Sequence, residues 1–148
     1  MAASRPVVWG DMKTIVIERT IDAPRELVFE AWTDPKHLVH WFHADEDWTT
    51  PYANVDVRPS GKFSIGFKSP DGKSDFDFAG HYDEVHPPES LVFTIGDGRP
   101  VVLMLTAIDK KRTHLRLEFA MEPTHSEEQQ RHGWTLMVVH LGEYLATV

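Results

Sequence analysis

The chain of 148 residues carries 15 Lys and Arg against 23 Asp and Glu, a formal net charge of −8, and it has no cysteine. This length suits one domain with its own hydrophobic core. The negative charge disfavours a nucleic-acid-binding protein, which needs a basic surface to neutralise phosphates, and it disfavours attraction to anionic membranes. Without cysteine, the protein can form neither a disulfide nor a thiolate metal site.

The N-terminal residues are not expected to form a secretory signal. No apolar segment approaches the roughly 20 residues of a membrane-spanning helix, and residues 1–11 lack the apolar core of a secretory signal. We therefore expect a cytoplasmic protein with one domain over residues 1–148, of which residues 1–12 form a flexible lead-in.

The first ordered elements are predicted to be a strand and two short helices. From Thr14 to Ile21 apolar and polar residues alternate, which is typical of a strand. Pro24 follows at a position that suits the first turn of a helix, and the apolar residues after it fall on one helical face. The segment Thr33-Asp34-Pro35 ends that helix and begins a second short one, and residues 43–50 are predicted to form an acidic loop.

The middle of the chain, residues 52–121, is predicted to consist of about six strands joined by turns. Most of these strands alternate apolar with polar residues, as residues 62–68 do. Pro70-Asp71-Gly72 is a hairpin turn signal between two such strands. Residues 101–108 are apolar on both faces, which predicts a central strand.

A long amphipathic helix is predicted at the C-terminus. Trp134, Met137, Val138, Leu141 and Leu145 fall at the i, i+3, i+4, i+7 and i+11 spacing of one helical face. A sheet with one apolar face needs a cover, and this helix is the cover that the chain offers. The expected fold is therefore α+β: a curved antiparallel sheet of about six to seven strands wrapped around the C-terminal helix, with two short helices after the first strand.

Several short segments, spread over nearly the whole chain, carry a resemblance to a known family. They are IERTIDAPRELVF at residues 17–29, AWTDP at 31–35, WF at 41–42, DVRP at 56–59, GHYDEV at 80–85, PPESLVFT at 87–94, and GW at 133–134 with Leu141 and YL at 144–145. With these segments in this order, the chain resembles the helix-grip fold of the START-like, or birch-pollen-allergen-like (SRPBCC), superfamily. Within it the chain is similar to the bacterial branch related to the activator of heat-shock protein 90 ATPase. At Ser60-Gly61 the family pattern has two glycines.

The resemblance implies a cavity between the sheet and the C-terminal helix, whose chemistry depends on the residues that line it. Members of the superfamily include lipid and hormone binders, polyketide cyclases and dehydratases, ring-hydroxylase subunits and the chaperone activator. We therefore expect this protein to bind a small, largely apolar or amphipathic molecule, and we expect no cofactor.

The side chains expected to line this cavity are apolar residues of the strands, the second short helix and the long helix. Each one could equally be an ordinary core residue, but together, on a strongly curved sheet, they favour an apolar cavity. They are Trp41, Phe63, Phe78, Tyr82, Phe93, Met104, Leu117, Trp134, Met137, Val138 and Leu141.

Two polar residues are candidates for orienting the ligand. Arg19 falls on the apolar side of the first strand, where it could anchor a carboxylate, pair with an acidic core residue or lie at a bulge; we favour the pairing. Gln130 extends the apolar face of the long helix backwards from Trp134, where its side chain could reach the cavity or meet water.

A second hypothesis is a cyclase, dehydratase or hydrolase that uses the same cavity without a cofactor. Such chemistry needs an acid or a base whose pKa is displaced by burial, and Tyr82, Glu127 and His43 are the candidates. The segment His43-Ala44-Asp45-Glu46-Asp47 lacks the ligand spacing of a calcium loop or a zinc site, so we predict no metal site. The sequence contains no nucleophile elbow, phosphate loop or dinucleotide motif, and it assigns no catalytic residue.

A third hypothesis is an interaction protein that acts on heat-shock protein 90 or in a stress response, by analogy with the eukaryotic activator. The analogy is partial because that activator has a further N-terminal domain. Trp9, Trp48 and the Val7-Val8 pair are spare apolar residues that would suit a contact between two copies of the chain, so a homodimer is also a hypothesis.

Overall fold

The computed structural model describes residues 9–148, so Val7 and Val8 lie outside the described residues. The described chain contains three helices, none of which is both long enough and apolar enough to cross a membrane. The elements follow one another as β1 (Thr14–Ile21), α1 (Arg25–Thr33), α2 (Pro35–Trp41), β2 (Ala53–Val55), β3 (Lys62–Lys68), β4 (Asp75–His86), β5 (Ser90–Ile95), β6 (Pro100–Asp109), β7 (Arg112–Ala120) and α3 (Glu127–Leu145).

The seven strands form one antiparallel sheet in the order β1-β7-β6-β5-β4-β3-β2. The first strand therefore pairs with the last, with Ile17 opposite Leu117, while the other strands follow one another as hairpins. The register shifts between Tyr82 and Glu84 in the β4–β5 pair and again in the β6–β7 pair. Because bulges of this kind bend a strand and increase its twist, they curve the sheet.

The core lies between the concave face of this sheet and the helices. Alternate residues of the strands are buried there, and α3 contributes the side chains of Met137, Val138, Leu141 and Leu145 to the same cluster. Each large apolar side chain that is fully buried stabilises the fold by about 1.5–3 kcal/mol. The predicted α+β fold, with its curved antiparallel sheet, long C-terminal helix and two short helices, is confirmed.

Local capping fixes where α3 begins. The Ser126 hydroxyl accepts a hydrogen bond from the backbone N–H of Gln129 at 3.1 Å, and the Gln129 side chain accepts one from the Ser126 N–H at 3.0 Å. This reciprocal capping box satisfies backbone donors that the first turn leaves free. The helix register that it sets turns Val138 and Leu141 towards the sheet.

The outer face of β6 is open to solvent, which corrects the prediction for Met104. Its neighbours Leu103 and Leu105 are buried in the core, so Met104 points away from it and is 47% exposed. Ile108 on the same strand is 46% exposed. The strand is apolar on both faces, and the sequence alone could not tell which of them is covered. Met104 lies on the face opposite the cavity that it was expected to line.

Candidate ligand site

A small aromatic cavity lies between the sheet and the two short helices. Its volume is about 20 Å³, which is close to the space that a single water molecule needs. In this conformation the interior is therefore filled almost completely by side chains. The lining consists of Trp32, Leu38 and Phe42 from the helical segment and Phe63, Ile65, Phe78, Tyr82, Leu91 and Phe93 from the sheet.

Phe63 is the centre of the aromatic packing on the sheet. Its ring centroid lies 5.3 Å from that of Tyr82, 5.5 Å from Phe93 and 5.8 Å from Phe78. On the neighbouring strand Gly80 lies opposite Phe63, and a Cβ atom there would come within 2.8 Å of the Phe63 ring. A Cβ atom there would collide even more closely with the backbone carbonyl oxygen of Thr94, so glycine is required at position 80 by the neighbouring strand as well as by the ring of Phe63.

Two neighbouring tryptophans differ in how their indole N–H groups are used. Trp32 and Trp41 are both buried and pack edge to face, with ring centroids 4.8 Å apart. Trp41 Nε1 donates a hydrogen bond to the carbonyl oxygen of Ala31 at 3.0 Å. Trp32 Nε1 is also buried, but it donates to no acceptor among residues 9–148. An unpaired buried donor of this kind costs about 1–3 kcal/mol.

Besides the indole N–H of Trp32, the residues that line the cavity carry a second polar group, the hydroxyl of Tyr82. Burial raises the pKa of its phenol, and the nearby negative charge of Asp56 raises the pKa further. The hydroxyl therefore keeps its proton at neutral pH, and it can donate a hydrogen bond but cannot act as a base.

A crevice of about 120 Å³ opens to solvent beside this cavity. The most exposed apolar residue in its lining is Phe76, of which 55% is accessible. The rings of Trp48 and Phe67 lie 5.6 Å and 5.2 Å from the Phe76 ring. Trp48, which the sequence suggested for a contact between two copies, is thus half-buried against Phe76; the homodimer itself stays a prediction. The crevice is lined by His43, Ala44, Asp45, Trp48, Phe67, Phe76 and Met137.

The side chain of Phe67 lines the crevice and also packs against two residues of the cavity lining. Its ring stacks on Phe42 at 5.9 Å and lies 6.0 Å from Phe78, and both of these partners line the cavity. Phe67 is therefore in contact with both sets of lining residues.

Apart from the exposed Met104, the predicted apolar lining residues divide into three groups. Phe63, Phe78, Tyr82 and Phe93 line the cavity, and Met137 lines the crevice. Trp134 is half-buried and stacks on Phe119 at 4.9 Å. The remaining residues are buried in the core and line neither space: Trp41, Leu117, Val138 and Leu141.

Part of the lining was missed because it comes from the helical segment. Trp32 and Phe42 belong to apolar patches of the sequence that were recognised, but periodicity alone does not show that α1 and the end of α2 fold over the sheet. The adjacent Trp41-Phe42 pair was the available signal, and of the two it is Phe42 that faces the cavity.

Neither polar candidate for orienting a ligand reaches the cavity. Gln130 is buried, but its side chain bonds the turn before α3: Oε1 accepts from the Glu122 N–H at 2.9 Å, and Nε2 donates to the carbonyl oxygens of Glu122 and His125. Arg19 lies opposite Leu115, yet its side chain is exposed. It forms no ion pair within the described chain, so the favoured pairing with a core acid is wrong.

The other acid–base candidates also lie outside the cavity. Glu127 is on the surface, where Lys13 at 2.8 Å lowers its pKa and Arg131 lies 3.6 Å away. His43 lines the crevice, with Nδ1 3.2 Å from Thr50 Oγ1. Burial, together with the neighbouring His140, lowers the pKa of His43. Of the three candidates, Tyr82 alone lines the cavity.

Two groups of side chains within residues 9–148 bring a histidine and two carboxylates close enough to share a metal ion. The first comprises Glu30, Asp34 and His37, and its members are already engaged. Asp34 caps α2 by accepting from the Lys36 N–H, and His37 Nδ1 lies 2.7 Å from the Tyr144 hydroxyl. The second group is Glu46, His140 and Glu143.

Solved structures from bacteria share this fold over almost the whole chain. An AHSA1-like protein from Aeromonas hydrophila is 31% identical, with a TM-score of 0.86 over 91% of this chain and 93% of that one. A protein from Cytophaga hutchinsonii is 32% identical, with a TM-score of 0.76 over 90% of this chain and 92% of that one. A protein from Nitrosomonas europaea is 24% identical, with a TM-score of 0.78 over 90% and 94% of the two chains, and it shares the fold.

The family follows from a separate comparison of the sequence. No protein with a curated function matches the chain. Residues 22–146, which include all three helices and six complete strands, match the family described as activator of Hsp90 ATPase homolog 1-like protein. The chain therefore belongs to the activator of Hsp90 ATPase homolog 1-like family, as its sequence segments predicted.

Proposed function

We propose that the protein binds a small, largely apolar molecule that carries one hydrogen-bond acceptor, inside the aromatic cavity. The observation that carries this proposal is the buried indole N–H of Trp32, which has no acceptor among residues 9–148 although its side chain lines the cavity. A carbonyl or ether oxygen would accept this hydrogen bond, and Tyr82 offers a second donor. Membership of the family supports a ligand-binding domain in general terms.

The size of the cavity limits the ligand and the way in which it enters. About 20 Å³ is far below the roughly 300–1,000 Å³ of a typical ligand pocket. The neighbouring crevice, at about 120 Å³, approaches the volume of roughly 150 Å³ at which an engineered apolar cavity binds benzene. A ligand with one ring would therefore occupy both spaces, and Phe67 would have to rotate to admit it.

The proposal is tested with two probes of nearly the same shape. Acetophenone carries a carbonyl oxygen, whereas α-methylstyrene has a methylene group in its place. We expect acetophenone to bind about fivefold more tightly, the equivalent of one hydrogen bond of about 1 kcal/mol. Titration of ¹⁵N-labelled protein, followed by the indole N–H signals in NMR spectra, measures both affinities and identifies the tryptophan that is involved.

The two adjacent tryptophans provide matched variants. Trp32→Phe should abolish the preference for acetophenone because it removes the unpartnered donor. Trp41→Phe should retain the preference because that indole is bonded to Ala31. Failure of both probes to bind, or an undiminished preference in Trp32→Phe, would refute the proposal. Native mass spectrometry of freshly purified protein, compared with the denatured chain, would reveal a natural ligand as an additional mass.

A further inference from the structure

A surface cleft distinct from the aromatic cavity brings together two carboxylates and an imidazole. The cleft has a volume of about 550 Å³ and lies between the loop after α2 and the last turns of α3. Glu46 comes from the loop, whereas His140 and Glu143 come from the helix. The two helical residues are three positions apart and therefore lie on the same face.

The spacing of the three side chains suits a single ion. Their ligand atoms all lie within 4.8 Å of one another. Zinc binds imidazole nitrogen and carboxylate oxygen at about 2.0–2.2 Å, so the donors of a tetrahedral site lie about 3.3–3.6 Å apart. Small rotations of the two exposed glutamates would bring them to that separation.

The hydrogen bond of His140 engages one ring nitrogen and leaves the other free for a metal. Its Nδ1 lies 2.7 Å from the backbone carbonyl oxygen of His43. A carbonyl can only accept, so Nδ1 carries the proton and Nε2 of the neutral ring carries the lone pair. Metal-binding histidines almost always donate their other N–H to a carbonyl or a carboxylate, which fixes the orientation of the ring. His140 already has this support.

The charges at the cleft also favour a cation. Within residues 9–148, neither Glu46 nor Glu143 forms an ion pair with a lysine, an arginine or a histidine. The other cluster, of Glu30, Asp34 and His37, differs in this respect. Its imidazole is already engaged: His37 Nδ1 contacts the Tyr144 hydroxyl, and His37 Nε2 lies 3.7 Å from Glu30.

We propose that Glu46, His140 and Glu143 bind a divalent transition-metal ion, for which Zn²⁺ is the best match. One imidazole with two carboxylates supplies the nitrogen and oxygen donors that zinc accepts, whereas Mg²⁺ and Ca²⁺ prefer oxygen alone. Three protein ligands leave a fourth position open to the cleft. The sequence predicted no metal site because a spacing rule tests neighbouring residues, and these ligands come from two elements that are distant in the chain.

The test is binding of Zn²⁺ to the metal-free, untagged full chain, measured by isothermal titration calorimetry. We expect one ion per chain, and the absorption spectrum of the Co²⁺ form should show the intense visible bands of a four- or five-coordinate site. His140→Ala and Glu143→Gln should each weaken Zn²⁺ binding about tenfold or more. Glu143 is exposed, so its variant should retain the fold even if His140→Ala does not.

His132→Ala is the matched control because His132 is exposed on the same helix outside the cluster. It should bind Zn²⁺ like the unmodified protein, with circular dichroism confirming that every variant is folded. The proposal is overturned if the protein does not bind one Zn²⁺ ion per chain. It is also overturned if folded Glu143→Gln binds Zn²⁺ as tightly as the unmodified chain, or if His132→Ala loses binding as much as Glu143→Gln does.

Discussion

The backbone N–H of Ser60 donates a hydrogen bond to the carbonyl oxygen of Tyr82 at 2.8 Å, and the Tyr82 N–H donates to the carbonyl oxygen of Gly61 at the same distance. These two bonds tie the turn before β3 to the part of β4 that lines the cavity. Ser60 has a φ of +70°, in the left-handed region that costs a residue with a Cβ atom about 1–2 kcal/mol. The bonds that Ser60 and Gly61 each make to Tyr82 hold the turn in this conformation.

Ser60→Gly should therefore stabilise the protein. Glycine removes the left-handed penalty, but it loses about 0.5–1 kcal/mol more conformational entropy on folding, so we expect the free energy of unfolding to rise by about 0.5–1 kcal/mol. Urea denaturation measures the change. Ser60→Ala keeps the Cβ atom and should gain nothing. A lower free energy of unfolding for Ser60→Gly would show that the serine side chain stabilises the turn.

Gln130→Ala tests whether this glutamine is structural rather than ligand-binding. The change removes three hydrogen bonds and leaves the Glu122 N–H and two carbonyl oxygens without their partner. We expect the free energy of unfolding to fall by about 1–3 kcal/mol, while the affinity for acetophenone stays the same. Glu128→Ala, in the same helical turn, is the control and should have little effect on either. A loss of acetophenone affinity in folded Gln130→Ala would return this residue to the ligand site.

Phe67→Ala should open the route between the crevice and the cavity. Removing the ring that stacks on Phe42 joins the two spaces, so the association of acetophenone should become severalfold faster. The free energy of unfolding should fall by about 1–3 kcal/mol, less than for a fully buried phenylalanine. Stopped-flow tryptophan fluorescence measures the rate. Phe76→Ala is the comparison because Phe76 lines the crevice without touching the cavity; equal rates in both variants would exclude Phe67 as the barrier.

The sequence predicted the fold well and the site only in part, for physical reasons. Alternation and helical spacing assign the faces of one element, which is why the strands and the buried side of α3 were found. They do not show how α1 and α2 lie on the sheet, so Trp32 and Phe42 were missed. When a strand is apolar on both faces, the pattern does not show which face is buried, so Met104 was assigned to the wrong face. Nor does the pattern show that the Gln130 side chain forms hydrogen bonds with the backbone of the turn before α3. The volume of the cavity depends on side-chain packing, which no periodicity encodes.

The pH dependence of stability should reveal the network around Asp77. Its Oδ1 accepts hydrogen bonds from the Ser64 and Tyr52 hydroxyls, each at 2.6 Å, and these lower the pKa of the carboxyl. A carboxyl whose pKa is lower in the folded chain stabilises the fold above its unfolded pKa, which is about 3.9. This contribution is lost as the pH falls through the folded pKa.

Tyr52→Phe removes one of these donors, so it should lower the free energy of unfolding at pH 7. The difference in free energy of unfolding between this variant and the unmodified chain should shrink as the pH approaches 2. Urea denaturation at both pH values measures this, and in an Asp77→Asn background the pH-dependent part should vanish. The Tyr52 ring also covers Gly66, where a Cβ atom would collide with it. Because phenylalanine keeps this ring, a loss of stability that is equal at pH 7 and pH 2 would contradict the prediction and show that the Tyr52 hydroxyl does not act through the charge of Asp77.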